Sequence, residues 1–284
     1  MDSGILFVVA TPIGNREDLT PRARRILNDV DLIAAEDTRH TRRLLSHFDI
    51  NTRQIVLHDH NEEVGAHKLI SILKSGKSVA LVSDAGTPLI SDPGYRVVCA
   101  AHDEKIPISP VPGASAVTTA LSVAGLPTDR FCFEGFLPKK KVARINRLRQ
   151  LCDEMRTIVF YESVHRIKDT IIDLNEVMCA DRNVFIGREL SKMYEQCVLT
   201  TLADIQDMIL DGRIAMKGEF VIVIAGNQTP DTATTVINIS KLIAEISAVL
   251  PINQAVDLIS VLSGRRRNEI YRLLLAQREE TVDN

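Results

Sequence analysis

The sequence predicts an α/β fold, two α/β units followed by a small helical region, and three observations carry that reading. Short apolar runs alternate with helix-like stretches along most of the 284 residues, a length that suits two compact units. The alternation restarts after Leu126-Pro127-Thr128-Asp129. Composition shifts again at Asn227–Thr235, NQTPDTATT, a polar run of turn formers with only helical spacing beyond it. The units expected are therefore residues 1–128, 129–229 and 230–284.

In the first unit Ile5–Ala10, Leu32–Ala35, Ile55–Leu57 and Val79–Val82 are continuous apolar runs, the pattern of strands buried on both faces. Pro21–Val30, Thr38–Phe48 and Glu62–Lys74 between them carry helical spacing with polar faces. Strand–helix–strand alternation implies a largely parallel sheet. In the second unit the expected strands are Phe131–Phe136, Thr157–Tyr161, Val184–Gly187, Cys197–Leu202 and Phe220–Ala225, with helices over Lys140–Met155 and Val164–Met178. Several of these strands are joined by too little chain for a helical crossover, so a mixed sheet is expected. The tail reads as helices over Ile239–Leu250, Ile252–Leu262 and Asn268–Ala276. The turn Ser263-Gly264-Arg265-Arg266-Arg267 gives its last two the look of a helix-turn-helix, or of a packing appendage with a basic turn.

Composition narrows the function classes. Lys plus Arg number 34 and Asp plus Glu 37, so the net charge of -3 excludes a histone-like polycation. Eight Phe, four Tyr and no Trp argue against broad stacking platforms for single-stranded nucleic acid. The five cysteines lie 18 or more residues apart with no metal-type spacing, so no metal site is expected and reduced thiols are. The start MDSGILFVVATPIGN resembles neither a signal peptide nor a membrane span, and a soluble cytoplasmic protein is expected.

The loops after the strands are where chemistry is expected, because ligands of open parallel sheets bind beyond the carboxyl ends of the strands. The first loop, Ala10–Asn15, holds one Gly and Pro12, which has no N–H to offer, so a phosphate cradle is disfavoured. The second, Ser83–Gly94, carries two Ser-Asp pairs with Gly-Thr-Pro and Pro-Gly turns, the makings of a stiff loop that can turn carbonyls toward a ligand. The third, Pro110–Ala116, leads into a helix of small residues, with Ser115 either beside a ligand or capping the helix. A fourth, Phe160-Tyr161-Glu162-Ser163, lies in the second unit.

These strings together resemble the tetrapyrrole methylase superfamily of S-adenosylmethionine (SAM) enzymes, and within it the branch that acts on ribosomal RNA. The resemblance rests on VATPIGNREDLT (Val9–Thr20), AAEDTRHTRRLL (Ala34–Leu45), SDAGTPLISDPGYRVV (Ser83–Val98), PGASA (Pro112–Ala116), FEGFLPKKK (Phe133–Lys141), YESVHR (Tyr161–Arg166), GREL (Gly187–Leu190) and KGEFVIVIAG (Lys217–Gly226), in unbroken order. Val164 stands where that branch is expected to carry Pro. The resemblance implies a homodimer of two-lobed chains, SAM in the cleft between the lobes, and 2'-O-methylation of a cytidine in the decoding region of small-subunit rRNA, with a ribosomal particle as partner. Carried over by position, the cofactor contacts are Pro12, Gly86, Thr87, Ile90, Ser115, Ala116, Tyr161, Glu162 and Thr200. Asp84 is expected to supply a charge where relatives carry Asp at the position of Thr87. A corrin or porphyrin precursor as substrate, and a non-enzymatic ribosome-assembly module, stand as alternatives.

A ribose hydroxyl is a poor nucleophile until its proton is shared, so an acceptor is sought among Glu36, Asp37 and Glu189. Asp37 equally reads as the N-cap of the helix that opens at Thr38. RNA phosphates require local positive charge, and three clusters offer it. They are Arg39, Arg42 and Arg43; the acid-free run holding Lys139, Lys140, Lys141, Arg144, Arg147 and Arg149; and Arg265, Arg266 and Arg267. Each cluster also reads as a solvated helix face.

Overall fold

The computed structural model describes residues 3–58, 62–227, 246, 250–263, 267, 268 and 270–273. Two compact units divide the chain, Met1–Gln228 and Thr229–Asn284. The first holds two five-stranded sheets.

The first sheet is built from β1 (Leu6–Val9), β2 (Leu32–Ala35), β3 (Gln54–Val56), β4 (Val79–Val82) and β5 (Ile108–Val111), in the order β3-β2-β4-β1-β5. Every pairing is parallel, as the alternation predicts. β2 and β4 are buried at all four positions, which is why they read as unbroken apolar runs. Helices α1 (Pro21–Asp29) and α2 (Thr38–His47) pack on one face through Ala23, Leu27 and Leu45. Helices α3 (Glu62–Lys74) and α4 (Tyr95–Asp103) pack on the other through Leu69, Leu73, Val97 and Ala101. β1 therefore sends its helix to one face and its neighbour β4 sends its helix to the other. A crevice opens at that point, beyond the carboxyl ends of the two strands.

Local chemistry sets the helix starts. Thr20 accepts from Ala23 N–H and Pro21 takes the first helical position, so α1 opens where its orphan donors are satisfied. α4 and β5 go beyond the elements expected from sequence. α4 is opened by the buried carboxylate of Glu62, whose Oε1 accepts from the N–H groups of Gly94 and Arg96, both at 2.9 Å.

Helix α5 (Ala116–Val123) leads to the second sheet, whose strands are β6 (Phe131–Phe136), β7 (Thr157–Ser163), β8 (Asn183–Arg188), β9 (Gln196–Thr201) and β10 (Glu219–Ile224). Their order is β6-β7-β10-β8-β9. β6 and β7 are parallel and the remaining pairs antiparallel, so the sheet is mixed. α6 (Lys141–Gln150), α7 (Ile167–Val177) and α8 (Leu202–Leu210) cover one face of it. α6 stops five residues short of the expected Met155, and the expected strand Cys197–Leu202 is β9, which begins and ends one residue earlier and runs directly into α8. Phe220, Ile222 and Ile224 of β10 face those helices, while Val221 and Val223 face α5 on the other side. α5 thus belongs to both halves: its Val117, Ala120 and Leu121 share one apolar cluster with Val159, Phe185 and Val221.

The second unit holds helix α9 (Ile252–Ser263), where the sequence places Ile252–Leu262. Ala255, Val256 and Ile259 make a small core with Ile270. The expected helix Ile239–Leu250 and the turn with Arg265 and Arg266 fall largely outside the described residues. Among those described, no helix is long and apolar enough to cross a membrane.

Candidate functional site

A cavity of about 270 Å3 opens at the β1/β4 crevice. Ile13 from the first loop, Ala85 to Thr87 and Ile90 to Asp92 from the second, and Ser115 and Ala116 from the third form one wall. Phe136, Tyr161, Glu162, Ser163, Gly187, Leu190, Glu219 and Val221 from the second sheet form the other.

The first three loops are tied together by the main chain and two threonines. Thr11 and Gly86 exchange backbone hydrogen bonds at 2.8 and 3.0 Å, which lays the first loop across the second. The Thr87 hydroxyl donates to Ala114 C=O at 3.0 Å, joining the second loop to the third. Within the second loop Gly86, Leu89, Ser91 and Gly94 all have positive φ, at 82°, 72°, 69° and 128°. Leu89 and Ser91 lack the freedom of glycine, so the surrounding structure holds this loop in a costly shape. The stiffness read from its prolines comes at least as much from these four turns.

The opposite wall approaches closely because of Gly135. β6 shifts register between Phe133 and Gly135, and Gly135 sits at φ 63°. A Cβ there would lie 3.2 Å from the Ser91 hydroxyl, so the bulge brings the second sheet against the second loop. Tyr161 packs edge-on between Phe133 and Phe136, with ring centroids 4.8 and 5.7 Å away. Burial pushes its hydroxyl up to about 12, and the charges of Asp92 and Glu219 add to that. Tyr161 is a neutral wall residue at any working pH.

Seven of the ten cofactor positions named from sequence come together here: Gly86, Thr87, Ile90, Ser115, Ala116, Tyr161 and Glu162. Glu162 does so in an unexpected way. Strand alternation turns its side chain to the helix-covered face, where it is 2% exposed. There its carboxylate accepts from Thr170 Oγ1 and pairs with Arg166, both at 2.7 Å, which leaves its main chain to line the cavity. Three positions stand outside the lining. Pro12 lies one residue before Ile13, which takes the wall position. Asp84 turns toward β2, its Oδ1 accepting from Asp37 N–H at 3.0 Å, so it does not supply the charge expected of it in the cavity. Thr200 lies on the edge strand β9, where its hydroxyl donates to Asp204. The residues not foreseen, among them Ser91, Asp92, Gly187 and Glu219, all lie within strings that the sequence had marked.

None of the three candidate proton acceptors lines the cavity. Asp37 caps α2, accepting from Arg39 N–H at 2.8 Å and pairing with the Arg39 guanidinium at 2.7 Å. That guanidinium holds its carboxyl far below the usual carboxylate range, which makes it a weak base. Burial works to raise Glu189, but hydrogen bonds from Lys192 and from Glu219 N–H outweigh it and hold the group below its ordinary value. Glu36 sits at the end of β2, with its Oε2 3.4 Å from Asp84 N.

The basic clusters fare unequally. Arg42 and Arg43 are exposed on α2, and Lys139 and Lys140 are exposed ahead of α6. Arg144 is 4% exposed and bonded to buried Asp173 at 2.6 Å, so it is a core residue rather than an RNA contact. Arg147 donates to Glu134 through Nε and Nη2, and Lys141 reaches Asp173 and Glu176. Arg267 pairs with Asp257 at 2.6 Å.

A parallel sheet with its cavity at a switch point, closed by a second mixed sheet, defines the class, and the chain belongs to the tetrapyrrole (corrin/porphyrin) methylases, whose family model matches residues 6–206. The same fold appears in uroporphyrin-III-C-methyltransferase from Thermus thermophilus, with 19% identity, a TM-score of 0.54 and coverage of 78% of this chain and 94% of that one. More narrowly, the chain is similar over nearly its whole length to proteins called ribosomal RNA small subunit methyltransferase I. That of Pasteurella multocida is 44% identical over 270 residues, covering 95% of this chain and 96% of its own. That of Xylella fastidiosa strain Temecula1 is 47% identical over 268 residues, covering 94% and 98%.

Proposed function

We propose that this protein is a SAM-dependent methyltransferase acting on small-subunit rRNA, and that its target is the 2'-hydroxyl of a cytidine ribose in the decoding region. The observation that carries the cofactor is the charge of the cavity: Asp92 and Glu219 line it, and no Lys, Arg or His does. Such a wall repels phosphate-bearing cofactors and suits a sulfonium, whose net charge is positive. Lys192 pairs with Glu219 from outside the lining and is shared with Glu189. Ala85, Gly86, Ser115, Ala116 and Gly187 leave room for the flat and extended parts of the donor. The near full-length similarity to ribosomal RNA small subunit methyltransferase I supports the substrate.

When bound, SAM supplies an already electrophilic methyl group, so the residues of this chain have to position and exclude. The strained second loop and the threonine ties fix one wall. The Phe133–Tyr161–Phe136 edge-on stack sets the aromatic part of the other, and orientation of this kind lowers the barrier without a strong base. A corrin or porphyrin substrate is not favoured by any feature of this cavity over a ribose.

The experiment is mass spectrometry of rRNA from cells lacking the protein, expected to reveal one missing ribose methyl that purified protein plus SAM restores. An unchanged methylation pattern overturns the substrate. The charge argument has its own check. Asp92→Asn is expected to weaken SAM binding about tenfold, or ~1.4 kcal/mol, while S-adenosylhomocysteine, which lacks the sulfonium charge, changes little in calorimetry. Equal losses for both ligands would assign Asp92 to shape instead.

A further inference from the structure

The run of six cations before and within α6 is partly spent on internal pairs, whereas the helices α1 and α2 carry a more exposed set. Together they hold six arginines and two histidines against one acid, Asp29. Their apolar sides, Ala23, Leu27 and Leu45, lock into one core, so the arginines are left on the outside. Arg24, Arg25, Arg42 and Arg43 are all exposed. Two cross-element contacts join them into one surface. The Arg24 guanidinium lies 5.3 Å from the Phe48 ring centre at the end of α2. Arg16, on the turn after the first loop, places Nη1 3.2 Å from His47 Nδ1. A groove lined by Arg24, Arg25 and Asn28, with Asp29 and Asp49 at its rim, runs between α1 and the segment Phe48–Ile50 that follows α2.

We propose that this α1–α2 face docks the phosphodiester backbone of the rRNA and is the main electrostatic footprint of the protein. The proposal rests on the rRNA reading above and deepens it. Guanidiniums match phosphate oxygens in two-pronged fashion, and their planar fork loses little freedom per hydrogen bond. The turn that holds Arg16 follows the first cavity loop directly, and α2 opens at Asp37, whose N–H donates to Asp84 of the second loop, so the elements that carry the face lead out of the loops that build the cavity. A folded rRNA read by shape and backbone needs a surface of this kind rather than base-edge contacts.

The test compares wild type with the quadruple variant Arg24→Gln, Arg25→Gln, Arg42→Gln, Arg43→Gln, in binding to unmodified small ribosomal subunits across a salt series. Loss of four phosphate contacts is expected to lower the slope of log affinity against log salt by about 3 and to weaken binding at least a hundredfold at low salt, with SAM affinity unchanged. A matching quadruple lysine variant keeps the point charges, and is expected to keep the slope. An unchanged slope in the glutamine variant overturns the proposal, as does equal loss in the lysine variant. A variant that loses subunits but still binds naked small-subunit rRNA like wild type would make the face a dock for a ribosomal protein, and would overturn it too. If wild type itself neither binds nor methylates subunits, the rRNA reading fails and overturns this proposal with it.

Discussion

Gly86→Leu is expected to abolish SAM binding and leave the protein folded. Gly86 sits at φ 82°, a conformation that costs an L-residue about 1–2 kcal/mol. A Cβ on it meets only ordinary contacts, Ile13 Cγ2 at 3.4 Å and Ala114 C=O at 3.8 Å, so the first carbon alone does not clash. The rest of a leucine side chain has to enter the cavity of about 270 Å3 that Gly86 lines. Strain and occlusion can therefore be separated. Gly86→Ala takes nearly the same backbone penalty with little filling, and should bind SAM several-fold more weakly. Gly86→Leu should lose at least a thousandfold, with both variants melting within a few degrees of each other. The main-chain exchange with Thr11 survives either change, which keeps the loops in place. Calorimetry with SAM, read beside thermal unfolding, checks the pair. Wild-type affinity in the leucine variant would remove the second loop from the donor site.

What was legible in the sequence follows burial on both faces. β2, β4 and, from Phe220 on, β10 announce themselves because neither face meets water, so no polar residue interrupts them. β5 was hidden for the opposite reason: it is an edge strand, half-buried, with Pro110 in its middle, where no ladder N–H is required. α4 was hidden because its start is not local. The carboxylate that satisfies Gly94 and Arg96 comes from Glu62, more than thirty residues earlier, and Val97-Val98-Cys99-Ala100-Ala101 alone reads equally well as a strand. α8 went unread because it starts with no intervening loop: Thr201 ends β9 and caps α8 at once, accepting from Asp204 N–H.

The site was legible as loops and illegible as side chains. Strand ends and turn residues locate the three loops of one wall, since small residues cluster where backbone approaches a ligand. Direction is another matter. Period-two alternation along β7 places Tyr161 toward the cavity and Glu162 away from it, a distinction available from sequence once the strand is fixed. The role of Gly135 was not available, because a bulge is a property of two strands and of the loop that meets them. Charge was the least legible of all. Arg144 looks free on paper and is committed to Asp173, a partner that only folding brings near, whereas Asp37 and Glu189 are held by Arg39 and Lys192, two and three residues along the chain.

Arg144→Leu is expected to destabilise the first unit by about 3–5 kcal/mol, the usual cost of leaving one partner of a buried ion pair uncompensated. Arg144 and Asp173 are 4% and 1% exposed, with Nε 2.6 Å from Oδ2. The guanidinium also donates to Lys139 C=O at 3.3 Å, which holds the chain just before α6. Lys141 reaches the other oxygen of Asp173 only at 3.5 Å and is itself largely exposed, so it cannot take over the pairing. Helical spacing already hinted at this burial, for Arg144 shares a stripe with the core residues Leu148 and Leu151. Because a unit of this size loses roughly 2–4 °C per kcal/mol, the midpoint should fall by about 10 °C or more. Adding Asp173→Leu removes the stranded charge along with its partner, and should return most of the loss, since apolar pairs replace buried ion pairs well. The same pair of variants separates a core role from an RNA-binding one. An unaltered melting curve for Arg144→Leu, combined with a shallower salt dependence of rRNA binding, would restore Arg144 to the RNA surface; a stability loss that the second substitution repairs, with the salt slope intact, ties it to the fold.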